Sequence, residues 1–163
     1  MKAIVCHAPE DLRLDTFETD ALGTHQLQVD VAYGGICGSD LHYYHHGGFG
    51  TVRIKEPMVL GHEVSGIVRV VGSAVQNFKA GQRIAISPSR PCGQCQYCQK
   101  GHHNHCLDMR FFGSAMRFPH VQGAFRQTLV IDASQAHPLH DSLSLSLAAL
   151  AEPLSVEIGR AHV

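Results

Sequence analysis

The run PCGQCQYCQKGHHNHC, from Pro91 to Cys106, crowds cysteines and histidines among glycines and polar residues, with almost no apolar side chain. Cys92, Cys95, Cys98 and Cys106 follow the pattern C-x2-C-x2-C-x7-C. Thiolates presented from a tight turn at this spacing can surround one zinc ion tetrahedrally. A full set of sulfur ligands leaves no position for water or substrate, so this pattern predicts a structural ion rather than a catalytic one. His102, His103 and His105 are then not needed as ligands and read as solvated loop residues. The ion would close a loop with little core of its own, because metal-binding free energy becomes folding free energy.

An ion that does chemistry must therefore sit elsewhere. Cys37 in GGICGSDLHYY and His62 in VLGHEVSG are one sulfur and one imidazole ligand, each beside glycines that let backbone approach closely. Taken singly, the cysteine reads as a small buried hydrophobe and the histidine as a core residue. Together with Glu63 and Glu152 they would supply three protein ligands and leave the fourth position open. The residues do not decide which glutamate binds. HEVSG lacks the second histidine of a metalloprotease helix, GFGTVR lacks the third glycine of a dinucleotide fingerprint, and no phosphate loop or nucleophile elbow occurs.

The elements that position these groups read mainly as strands. Leu27, Val29, Val31 and Tyr33 alternate with polar or small residues, and similar short strands are predicted near 2–7, 12–17, 64–71, 82–87 and 124–131. Gly23, Gly72, Gly81 and Gly123 punctuate them, which predicts a barrel or sandwich. A short helix is predicted after Cys37, capped by Ser39 or Asp40, and a longer one over SLSLAALAEPLSVEIGRAHV, interrupted at Pro153 and apolar on more than one side. The composition, 44% apolar and 17% charged over 163 residues, suits one ordinary globular core. A formal charge of −1 offers no basic footprint for nucleic acid. With no bilayer-length apolar run and no export signal, the chain reads as soluble and cytoplasmic, and its cysteines as reduced metal ligands rather than disulfides.

GGICGSDLHYY, PMVLGHEVSGIV, VGSAVQNFKAGQRIAI, the four-cysteine run and AEPLSV together resemble the N-terminal catalytic part of zinc-dependent medium-chain alcohol dehydrogenases, in their polyol dehydrogenase branch. The likeness runs over essentially the whole chain. FFGSAMRFPHVQGAF is further similar to the L-idonate 5-dehydrogenases within that branch.

The resemblance implies a mainly β fold with a few short helices, a GroES-like, partly open β-barrel with an inserted structural zinc lobe at about residues 88–110. It also implies that residues 1–163 are a fragment, with the Rossmann coenzyme domain and the C-terminal part of the catalytic domain absent. Carried over by position, Cys37 and His62 would hold a catalytic zinc with Glu63 or Glu152, the latter standing where ethanol-type members place a second cysteine. Ser39 would take the proton of a substrate hydroxyl and His42 pass it to solvent, while Asp40 orients His62 through its other ring nitrogen. Tyr43 and Phe112 would line the substrate pocket, although as plain residues they read as core or rim aromatics.

The implied cofactors are two zinc ions per chain, one catalytic and one structural, and NAD(P) bound mainly by the missing domain. The implied reaction oxidises a secondary alcohol of a polyol or sugar acid to a ketone, L-idonate to 5-ketogluconate foremost, with sorbitol or xylitol as the alternative. The full-length protein would be a homo-oligomer, dimer or tetramer. Gln82 departs from the aspartate usual in the family. The competing class is a non-catalytic zinc module that uses only Cys92 to Cys106, which leaves Cys37 and His62 unexplained.

Overall fold

The computed structural model describes residues 1–160. The chain opens with an antiparallel pair, β1 (Lys2–Ala8) and β2 (Asp11–Thr16). The long strand β3 (Gln26–Gly35) leads into helix α1 (Gly38–His46). Three very short strands follow, β4 (Gly48–Phe49), β5 (Val52–Arg53) and β6 (Met58–Val59). Then come β7 (Glu63–Val71), β8 (Arg83–Ile86) and β9 (Ser89–Arg90). The cysteine-rich excursion carries a one-turn helix, α2 (Gln96–Gln99), and returns through β10 (Arg110–Phe111). The remainder is β11 (Thr128–Asp132), β12 (Ala136–Pro138), α3 (Leu145–Ala148) and α4 (Ala151–Arg160).

Five strands form the main antiparallel sheet in the order β11-β3-β7-β8-β12. A smaller sheet, β2-β1-β6, joins it where Ile4 N–H donates to Phe125 O at 2.8 Å and Gln127 N–H donates to Lys2 O at 3.1 Å. The sheets remain open, as expected of a partly open barrel. Alternation explains the core: Leu27, Val29, Val64, Val68, Ile84, Leu129 and Ile131 are all buried on the inner face. Each such side chain contributes about 1.5–3 kcal/mol on burial. The predicted alternation of β3 fails at Tyr33, which is 54% exposed. Register shifts between Gln28 and Val29 and between Val31 and Tyr33 mark bulges, and a bulge changes the facing of every residue beyond it.

Two sequence expectations are corrected here. Neither Ser39 nor Asp40 is the N-cap of α1: Cys37 occupies that position, and Asp40 lies in the first turn with its carboxylate accepting the Cys37 N–H at 3.0 Å. Pro153 does not interrupt a helix. The break falls at Ala149 and Leu150, and Pro153 lies in the first turn of α4, where a missing N–H costs no intrahelical bond. The last three residues of the predicted terminal helix lie outside the described residues. Gln82 belongs to the turn before β8, its side-chain oxygen accepting the Lys79 N–H at 3.1 Å, with Gly81 at φ 83 making the turn. Among the described residues no helix is long and apolar enough to cross a membrane.

Candidate active site

Pairing of β3 with β7 assembles the central cluster. In this antiparallel ladder Gly35 stands opposite Glu63. Cys37, just past the end of β3, therefore meets His62 and Glu63 at the start of β7, and their ligand atoms all lie within 4.8 Å of one another. His62 and Glu63 are buried, and Cys37 is half-buried. Gly35 leaves room for the Glu63 carboxylate, which a Cβ there would force to shift. Gly61 holds φ 91 at the approach to His62, and a Cβ there would collide with the Phe125 ring.

Asp40 is the hub of the local backbone. One carboxylate oxygen accepts the Cys37 N–H and the other accepts the Gly61 N–H, both at 3.0 Å, so one buried side chain ties the start of α1 to the loop that carries His62. Its distance to His62 Nδ1 is 3.9 Å, too long for the direct hydrogen bond expected from the sequence. Asp40 instead positions the two ligand-bearing segments through their amides. His62 Nδ1 is buried without a hydrogen-bond partner, while the ring packs on Phe111 with centroids 5.3 Å apart.

A soft sulfur, an imidazole and a carboxylate with one orphaned ring nitrogen match the donor set of zinc. Ligands held at about 2.0–2.3 Å from a tetrahedral ion lie roughly 3.3–3.8 Å apart, inside the observed limit. Glu152 falls outside this group. It sits half-buried in the first turn of α4, beside a separate cavity of 320 Å³ lined also by Ser87, Pro88 and Phe111. Burial first, and then the Glu63 carboxylate, push its carboxyl above the ordinary range, while His62 pulls in the other direction. Glu152 thus faces the cluster electrostatically without joining it.

A cavity of 560 Å³ opens onto His62 and is lined by Ser39, Tyr43, Phe111, Met116 and Arg117 among others. Ser39 lines this cavity as a half-buried residue of the first turn of α1. Tyr43 lines the cavity as a buried side chain, its hydroxyl accepting the Ala115 N–H at 2.9 Å. His42 is exposed near the rings of His46 and Phe49, at 6.0 and 6.4 Å, and does not line the cavity. Phe112 is corrected: it belongs to the main core, and its neighbour Phe111 faces the cavity. Phe112 directly follows β10, and successive residues of an extended chain point to opposite faces, so an error of one position at the strand's end exchanges core for cleft. Phe111, Met116 and Arg117 were not singled out from the sequence. Their signal was the stretch FFGSAMRFP, which places aromatic and long side chains between glycine and proline.

The four-cysteine lobe is built differently. The sulfurs of Cys92, Cys95, Cys98 and Cys106 lie within 4.8 Å of one another, and all are free thiols rather than disulfides. Gly93 at φ 74 and Gly101 at φ 79 make its tight turns. Cys92 N–H donates to Cys106 Sγ at 3.2 Å, and Cys95 N–H to Cys92 Sγ at 3.4 Å, which is how thiolates are held. Burial leads in pushing the Cys98 thiol up to about 12, and backbone N–H groups of Cys98 and Leu107 pull Cys95 down to about 6. His102, His103 and His105 are exposed and outside the sulfur group. Cys106, Leu107 and Met109 also line the cavity at His62, so the lobe forms part of its wall.

Residues 23–141 match the family described as the alcohol dehydrogenase GroES-like domain. The chain is 51% identical over 134 residues to L-idonate 5-dehydrogenase (NAD(P)(+)) of Escherichia coli strain K12, a match covering 82% of this chain and 38% of that protein. It is 39% identical over 158 residues to sorbitol dehydrogenase of Bacillus subtilis strain 168, covering 97% of this chain and 44% of the relative. The crystal structure of L-idonate 5-dehydrogenase from Escherichia coli superposes with a TM-score of 0.89 at 43% identity, over 99% of this chain and 46% of that one. The chain thus spans less than half the length of the relatives it matches.

Proposed function

Since this chain belongs to the alcohol dehydrogenase GroES-like domain family, we propose that it is the zinc-holding part of an NAD(P)-dependent polyol dehydrogenase that oxidises a secondary alcohol to a ketone, with L-idonate as the substrate. The observation that carries this reading is the meeting of Cys37 and Glu63 with His62, which itself lines the 560 Å³ cavity. Glu63 is the third ligand in this proposal, and Glu152 a nearby carboxylate that does not bind directly. Cys37, His62 and Glu63 would hold a zinc ion, which would supply Lewis-acid polarisation of the substrate hydroxyl. The hydride acceptor is a nicotinamide coenzyme, held largely by a domain outside these residues.

The chain's own groups then handle binding and the proton. Ser39, on the cavity wall, receives the proton of the substrate hydroxyl and gives up its own to His42. Those two positions lie on one face of α1, and the exposed imidazole of His42 releases the proton to solvent. Phe111, Tyr43 and the side chains of the lobe exclude water from the reacting carbon. Arg117 brings a positive charge to the cavity rim, although Asp108 holds it at 3.0 Å, and it faces the carboxylate end of a sugar acid.

Metal analysis tests the reading. The expected outcome is two zinc ions per chain, one lost on Cys37→Ser and the other on Cys95→Ser. A single ion, abolished only by Cys95→Ser, would reduce the chain to a zinc-stabilised binding module. Joined to the coenzyme domain of the Escherichia coli relative, the chain is expected to oxidise L-idonate faster than sorbitol or xylitol; the reverse order moves the substrate to those polyols.

A further inference from the structure

A second cavity, of 290 Å³, lies apart from both cysteine clusters and is lined by Arg90, Arg110, Arg126, Gln122 and Asp20 among others. We propose that it binds a phosphate-class oxyanion, either free phosphate or a phosphate monoester. Arg90 and Arg110 are direct cross-strand partners in the β9–β10 ribbon, an arrangement of like charges that destabilises a ribbon unless something offsets it. Arg90 has its nearest carboxylate, Asp132, at 3.9 Å, and Arg110 has no ion pair among the described residues. Arg126 is only 7% exposed, and its Nε–H is buried with no acceptor. Asp20 accepts from one terminal nitrogen of Arg126 at 3.1 Å and is the one carboxylate on the cavity wall among the described residues.

The amides complete the pattern. Gln122 uses its oxygen to accept the Val59 N–H at 2.7 Å, which leaves its NH2 to donate. Gln26 is satisfied in both directions, by the Gly23 N–H and by Asp132. What remains on this wall is therefore donor capacity with a net positive charge. A buried donor without an acceptor is destabilising. A tetrahedral oxyanion offers several acceptor oxygens at once and fits the planar fork of guanidinium groups. Val121 lines this cavity and the one at His62, so the bound anion sits behind the wall of the cleft.

The test follows the arginine Nε–H resonances of the zinc-loaded chain by NMR during titration with sodium phosphate, sodium chloride holding ionic strength constant, with glycerol 3-phosphate as a parallel arm. The expected result is a saturable shift of the Arg126 Nε–H, with apparent affinity at least tenfold weaker in Arg110→Gln and in Arg90→Gln. Saturation by phosphate alone identifies the free ion as ligand, and tighter binding of glycerol 3-phosphate identifies a monoester. Phosphate contacts with either zinc would be indifferent to these substitutions. A shift that chloride reproduces, or one unchanged in both folded variants, overturns the proposal.

Discussion

The two cysteine-bearing clusters reach the same closeness by different routes. In the lobe, Cys92, Cys95, Cys98 and Cys106 come from one short loop, and their sulfurs converge through local turns at Gly93 and Gly101. In the barrel, Cys37 lies just past the end of β3 and His62 just before the start of β7, and the pairing of Gly35 with Glu63 brings them together. None of the lobe cysteines belongs to a hydrophobic core cluster, so an ion held there would carry much of the lobe's order. The barrel cluster sits against Phe125 and Phe111 in a fold already held by buried strands, so an ion there is an addition rather than a keystone.

Losing a lobe ligand is the most severe test of that contrast. With metal-binding free energy on the order of 10 kcal/mol available to small zinc sites, Cys95→Ser is expected to strip hydrogen-exchange protection from residues 92–107 while the β3 and β7 amides stay protected. Equal loss in both regions would show that the lobe also holds the barrel. Next in size is Gly35→Ala, whose new Cβ must displace the Glu63 side chain. A cost of about 1–3 kcal/mol in a urea melt is expected, with the barrel zinc lost and the lobe zinc kept; two zinc ions in this variant would break the link between strand register and site.

Asp40→Asn is a finer probe. The amide cannot accept equally at both positions now served by the carboxylate oxygens on Cys37 N–H and Gly61 N–H. Zinc affinity at Cys37 and His62 should fall by about 10–100-fold, measured by chelator competition, with lobe affinity unchanged. The smallest effect concerns Cys6, which belongs to neither cluster. Burial, followed by the Asp11 charge, pushes its thiol above the ordinary range. Thiolate is the reactive form, so its alkylation should begin only as pH rises past that range. After zinc chelation at neutral pH, mass spectrometry should find Cys6 unmodified and the cluster cysteines labelled; early labelling of Cys6 would show that its burial is transient.

These contrasts explain what was legible from residues alone. The strands near 2–7, 64–71 and 82–87 were readable because period-two alternation is imposed by the pleat. The lobe was readable because its ligands share one loop. Tyr33 and Phe112 were misplaced for a common reason: facing in a strand changes with a single residue, through a bulge in β3 and through the phase of β10. Asp40 was assigned to His62, whereas the folded backbone set it on two amides.

The sequence by itself determined the candidate ligand types, the spacing of the four lobe cysteines, the mainly β character of the fold and the family to which its motifs belong. Those properties are local, written in residues that stand close along the chain. Only the tertiary structure decided that Glu63 rather than Glu152 lies within 4.8 Å of the Cys37 and His62 ligand atoms, that Phe111 faces the cavity, and that Arg90, Arg110 and Arg126 share another. Each of those depends on the register between strands distant in sequence, which is set by the packing of the whole inner face rather than by any one segment.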